Sequence, residues 1–169
     1  YPSLKLDIRH TFPGLFITRR RGKKGSLYFG PYVSGGSLRR TVDLLTKYFR
    51  LRTCSDHEFA NRSRPCLEYN IGRCNAPCVG LVSRESYAAQ VEEARLFLSG
   101  RKKELVRLLK ERMKAASGAQ QYEEAARLRD LIVCLRETWE ERKAAAVEAG
   151  RADPLEDRLL ANLQKRLGL

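Results

Sequence analysis

The sequence predicts an α+β fold: a small antiparallel sheet with a packed helix and a four-cysteine loop, followed by an α-helical hairpin. Three observations lead there. Apolar residues alternate with polar ones in short runs over the first thirty positions, the pattern of half-buried strands. From Ser37, and again from Ser83, they recur at helical spacing. Between these stretches, Thr53 to Gly80 gathers four of the five cysteines in a polar, turn-rich segment.

Leu4, Leu6 and Ile8 alternate with polar residues, Leu15 to Thr18 is short and apolar, and Leu27 to Phe29 repeats the pattern. Between the last two runs lies Arg19-Arg20-Arg21-Gly22-Lys23-Lys24-Gly25, a glycine-bracketed basic loop that reads as a hairpin turn near 22 to 25. Gly30, Pro31 and Ser34-Gly35-Gly36 end the third strand. Ser37 suits a helix N-cap, and Leu38, Val42, Leu45 and Tyr48 follow at helical spacing, so a helix of about three turns is expected to pack on the sheet. Phe16, Phe29 and Phe49 are expected to fill the core between them.

After Ser83, a second N-cap candidate, Tyr87, Val91, Ala94 and Leu98 share one helical face that ends at Ser99-Gly100. A further helix runs from Lys102 through Leu105, Leu108, Leu109 and Met113 and stops at Ser117-Gly118. The next begins near Gln120 and carries Ala125, Leu128, Ile132, Leu135 and Trp139, alternating steps of four and three as in a coiled-coil seam. So short a turn predicts an antiparallel hairpin, and two helices alone leave apolar surface that wants a partner. Cys134 is expected as a buried free thiol and Trp139 as a packing anchor. Glu140 to Gly150 is charged and alanine-rich, and Asp153-Pro154 opens a short amphipathic helix through Leu155, Leu159, Leu160, Leu163 and Leu167. The organisation expected is a basic sheet-helix module over 1–83 with its cysteine loop at 54–78, a connecting helix over 84–100, the hairpin over 101–142 and a connector over 143–169.

Composition bounds the function. The chain has 169 residues, 43% of them hydrophobic, and a formal net charge of +13. No apolar run approaches the length of a spanning helix and mean hydropathy is negative, so a soluble, cytoplasmic protein is expected. Residues 1 to 53 carry twelve Lys and Arg against two acids, which places the positive field in the first third. Such a field attracts polyanions without conferring sequence preference. Arg19, Arg20, Arg21, Lys23 and Lys24 are the DNA-contact candidates, with Arg39 and Arg40 on the following helix. Exposed aromatics could stack on unpaired bases, although burial is the commoner fate of any one ring.

Cys54, Cys66, Cys74 and Cys78 form a C-x11-C-x7-C-x3-C series. Disulfides would need an oxidising compartment, and no signal peptide is seen, which favours a metal. Four thiolates suit zinc or a four-cysteine iron-sulfur cluster. Structural zinc usually takes two close pairs, whereas here only Cys74 and Cys78 are close; spacing alone leaves both open. His57 is expected to be a surface residue beside four better ligands. Arg64 and Arg73 flank ligand positions and could donate to sulfur or phosphate. Pro65 and Pro77 each precede a cysteine and are expected to hold the backbone extended.

Two stretches carry a resemblance. RSRPCLEYNIGRCNAPCVGLVS, from Arg62 to Ser83, and YFGPYVSGGSLRRTVDLLTKYFRLRTC, from Tyr28 to Cys54, closely resemble the central region of the UvrC family, nuclease subunits of bacterial nucleotide excision repair. The likeness runs from about Tyr1 to Trp139, and the tail matches weakly. It implies a 4Fe-4S cluster on Cys54, Cys66, Cys74 and Cys78, and so tips the choice of metal toward iron. QYEEAARLRDLI, from Gln121 to Ile132, resembles the UVR motif shared by UvrB and UvrC. That likeness implies docking to UvrB through Tyr122, Glu123, Ala126, Arg127, Arg129 and Asp130. Tyr122 stands where the motif commonly has Phe, which bears on affinity more than on the mode of pairing.

Catalysis is not expected of this chain alone. Tyr28-Phe29-Gly30 and Gly30-Pro31-Tyr32 superficially resemble the tripeptides of GIY-YIG nucleases, but their order and spacing differ, and Asp7 and Asp43 are the only acids before Thr53. The function implied is the non-catalytic centre of an excision nuclease subunit, which holds a cluster, contacts damaged double-stranded DNA and docks UvrB. The alternative is a zinc-binding nucleic-acid adaptor unrelated to repair.

Overall fold

The computed structural model describes residues 2–20, 22, 25–32 and 35–148, and divides into two compact units, Tyr1–Arg95 and Leu96–Leu169. The helix expected over 155–167 lies outside the described residues, as do Arg21, Lys23 and Lys24 of the basic loop.

The first unit opens with β1 (Ser3–Asp7), β2 (Gly14–Thr18) and β3 (Leu27–Phe29). The α+β class holds, but the strand order is β2-β1-β3, with β1 antiparallel to both neighbours. The basic loop is therefore not a hairpin turn. It carries the chain from one edge of the sheet to the other. The reason lies in β1, whose Leu4 and Leu6 are fully buried and take the central place, while Ile17 on β2 is 51% exposed, as an edge allows. Gly30, at φ 112 before a cis bond to Pro31, then turns the chain so that the Tyr32 N–H donates to the Pro2 carbonyl at 2.9 Å.

Helix α1 (Gly35–Phe49) starts two residues before the Ser37 cap expected. Its buried positions are Leu38, Thr41, Leu45, Thr46 and Phe49, whereas Val42 and Tyr48 are half-buried. Phe49, one position beyond the expected stripe, takes the core place assigned to Tyr48. Phe49 fills the core as expected; Phe16 and Phe29 are only half-buried. Burying side chains such as Leu4, Leu6, Leu38, Leu45 and Phe49 supplies about 1.5–3 kcal/mol each.

The cysteine loop folds as two short helices, α2 (Asp56–Ala60) and α3 (Leu67–Asn70), and a 3-10 turn at Pro77–Val79. Helix α4 (Arg84–Leu98) begins where Ser83 accepts the Ser86 N–H on its hydroxyl at 3.1 Å, the N-cap expected there. Tyr87 and Ala94 on α4 are fully buried.

The second unit contains α5 (Lys102–Gly118) and α6 (Tyr122–Glu148), packed on one another. Leu105 and Leu109 of α5 and Leu128, Leu131, Ile132 and Leu135 of α6 are buried. Gln120, at φ 59, supplies the left-handed residue that ends α5, and the Gln121 N–H caps the Ala116 carbonyl at 2.9 Å. Alanines carry α6 on to Glu148, six residues past the hairpin end expected at 142. Trp139 stacks on Phe97 with ring centroids 6.3 Å apart, and Cys134 is half-buried rather than enclosed.

Candidate functional site

Arg52 organises the first unit's site. It lies three residues past the end of α1, is 1% exposed, and distributes its guanidinium over three acceptors. Nε donates to the Phe12 carbonyl at 2.7 Å, Nη1 to the Cys54 carbonyl at 2.8 Å and Nη2 to Asp56 at 2.6 Å. The cation also lies 4.8 Å from the Phe59 ring centre. A buried charge must be paired and hydrogen-bonded to be tolerated. Meeting that demand fixes Cys54 and the start of α2 against the loop before β2. Phe12, His10 and Tyr87 close this cluster: Phe59 meets His10 edge-on at 4.9 Å, and Phe12 meets Tyr87 at 5.4 Å.

Each cysteine is placed by local backbone chemistry. Ser55, next to Cys54, and Glu58 form a reciprocal capping box that starts α2 at Asp56. Cys66 occupies the N-cap position of α3. Glu68 then accepts the Arg73 and Cys74 N–H groups on its carbonyl at 2.8 and 3.2 Å, and Gly72 at φ 74 turns the chain back. Cys78 lies in the 3-10 turn behind Ala76, which is left-handed at φ 49. Pro77 is thus the buried first residue of a helical turn, and the extended backbone expected at this position is not formed.

Cys54, Cys66 and Cys74 line one pocket of about 390 Å³ together with Thr53, Glu58, Arg62, Leu67 and Glu68. Burial pushes the Cys74 thiol up to about 11, with the neighbouring Cys66, Cys54 and Cys78 adding to it. Cys78 is raised as well, by burial and then by Cys54 and Cys66, while Arg62 opposes the rise. A single zinc ion holds each sulfur at about 2.3 Å. Among the described residues no group of three or more Cys, His, Asp or Glu side chains converges on one ion position. Four cysteine donors suit a soft metal, zinc and an iron-sulfur cluster alike. His57 is exposed, with its carbonyl accepting the Asn61 side chain at 2.8 Å. Arg64 is exposed, and Arg73 pairs with Asp43 at 3.1 Å. Arg62 is the pocket residue that sequence reasoning missed.

On the sheet, Arg19 and Arg20 are exposed at the end of β2, and Arg39 and Arg40 are exposed on α1. The Gly22 N–H donates to the Tyr28 hydroxyl at 3.2 Å. Asp7, 5% exposed, takes a two-pronged contact from Arg9 at 2.9 and 2.7 Å and a third bond from Lys5 at 2.8 Å. Arg9 above all, with Lys5 assisting, holds its carboxyl well below the usual range against the opposing effect of burial.

In the hairpin, Tyr122 is 66% and Val133 49% exposed. Tyr122, Ala126, Arg129 and Val133 follow one another at steps of four, three and four, a stripe on the side of α6 away from its buried leucines. Glu123 and Asp130 flank it and are exposed, and Asp130 pairs with Arg129 at 3.0 Å. Arg127 is half-buried and donates to Glu124 at 2.8 and 2.7 Å, and Glu124 also pairs with Arg112 of α5 at 3.3 Å.

The model of the UvrC/Cho excinuclease middle domain matches residues 1–97, and that of the UvrB/uvrC motif matches residues 103–137. The chain belongs to the UvrC family. UvrABC system protein C of Moorella thermoacetica is 46% identical over 155 residues, covering 92% of this chain and 25% of the relative. That of Stenotrophomonas maltophilia is 50% identical over 147 residues, covering 80% and 24%. The chain therefore spans about a quarter of the length of the UvrC relatives it matches. No solved structure matches it. Among the described residues no helix is long and apolar enough to cross a membrane.

Proposed function

We propose that this chain is the non-catalytic centre of a UvrC excision nuclease subunit, in which a 4Fe-4S cluster on Cys54, Cys66, Cys74 and Cys78 braces a basic sheet that meets damaged double-stranded DNA. The observation that carries this reading is the lining of one pocket by Cys54, Cys66 and Cys74, with Cys78 within electrostatic reach. The role of the cluster is structural: when bound, it cross-links four chain positions and adds its binding energy to folding. Arg52 and the Ser55–Glu58 capping box hold Cys54 in place, while the Glu68 carbonyl returns Cys74 toward Cys66. Arg19 and Arg20 supply phosphate contacts. The exposed Tyr122 stripe docks UvrB, a reading supported by the motif match over residues 103–137.

Anaerobic purification from iron-replete cells tests the reading. Brown protein with broad absorption near roughly 400 nm and about four irons per chain is expected, and Cys74→Ser should lose both. Colourless protein carrying stoichiometric zinc would overturn the cluster.

A further inference from the structure

The face of the sheet that carries Lys5 holds a feature that phosphate contacts do not use. In the sheet register, Lys5 of β1 is opposite Phe16 of β2 on one side and Tyr28 of β3 on the other, so all three side chains share one face. Leu4 and Leu6 alternate with Lys5 onto the opposite, buried face. Phe16 and Tyr28 are half-buried.

The Phe16 ring is laid down by its neighbour. A Cβ on Gly14 would stand 2.6 Å from Cζ and 2.7 Å from Cε2 of Phe16, so the ring leans over the glycine backbone. Lys5 and Arg52 approach its centre at 5.9 Å each. Tyr28 is steadied by the Gly22 N–H on its hydroxyl, which ties this ring to the basic loop. Phe16 and Tyr28 stand two strand spacings apart, about 10 Å at the backbone, which suits two separate bases better than a clamp on one. Arg19 and Arg20 are exposed where β2 leaves the sheet, and residues 1 to 53 carry twelve cations against two acids.

We propose that Phe16 and Tyr28 form a stacking platform for an unpaired stretch of DNA strand, with Arg19 and Arg20 holding its phosphates. Aromatic rings on a strand face beside cations are the physical requirement for binding unpaired bases without sequence preference, because every base offers a π-face. A paired duplex keeps its bases stacked on one another and cannot use the rings. The proposal rests on the reading that the first unit meets DNA, and adds to it that the occupant is unpaired.

The test measures binding of the whole chain to labelled oligothymidine and to a duplex of equal length across a salt series. Phe16→Leu and Tyr28→Leu should each weaken oligothymidine binding by about tenfold and leave duplex binding and both salt slopes unchanged, since no cation is removed. Phe16→Trp should restore affinity, and its added fluorescence should be quenched by oligothymidine. Should Phe16→Leu perturb the fold, as seen by thermal unfolding, the Phe16→Trp quench decides alone. If the parent chain binds neither probe, the DNA reading itself fails. Parent binding that both leucine variants retain, or a loss equal on duplex, would overturn the platform while sparing the phosphate contacts.

Discussion

The backbone N–H of Arg52 donates to the Tyr87 hydroxyl at 3.0 Å, and the same hydroxyl donates to the Pro13 carbonyl at 2.8 Å. One buried oxygen thus joins helix α4 to the segments before β2 and after α1. The Leu15 N–H also donates to the Arg52 carbonyl at 3.0 Å, so Arg52 extends the sheet edge with its backbone and tethers Cys54 with its side chain.

Tyr87→Phe keeps the ring and strands two buried groups, the Arg52 N–H and the Pro13 carbonyl. A loss of about 1–3 kcal/mol is expected, read as a lower urea midpoint at unchanged slope. A change under about 0.5 kcal/mol would show that water or a shift of the backbone replaces the bond.

Asp7 confers a defined acid sensitivity. Its folded-state pKa lies below the unfolded value of about 3.9, so its stabilising contribution is complete above that value and is lost as pH falls through the folded one. Asp7→Asn should lower stability at pH 7 and flatten the decline between pH 5 and the acid limit. A parallel decline in both proteins would assign acid unfolding to other carboxylates.

The hairpin separates docking from folding. Tyr122→Ala alters an exposed ring, so its stability cost should stay within about 0.5 kcal/mol while capture of UvrB is lost. Leu128→Ala removes a buried side chain and should cost about 2–5 kcal/mol. Unchanged capture by the Tyr122 variant would place the docking face elsewhere on the hairpin.

Charge reversal of Arg19 and Arg20 to Glu should weaken duplex binding and reduce the salt slope by about one unit for each phosphate that is no longer neutralised. Weaker binding with an unchanged slope would mean that these arginines act through the fold and not on phosphate.

The sequence by itself determined what periodicity and spacing encode: three short strands, the leucine seams of α5 and α6, the Ser83 cap and a four-cysteine segment. Those signals are local, since alternation or a step of three or four already says which side of an element turns inward. Only the tertiary structure decided that β1 is central, that Phe16 is half-buried while Phe49 is enclosed, and that Arg52 is buried beside Phe12, Cys54 and Asp56. Tyr87 shows the reason, for its hydroxyl's partners lie 35 and 74 residues away. Such pairings are set by which buried polar groups must satisfy one another once the chain is compact, and no local pattern records them.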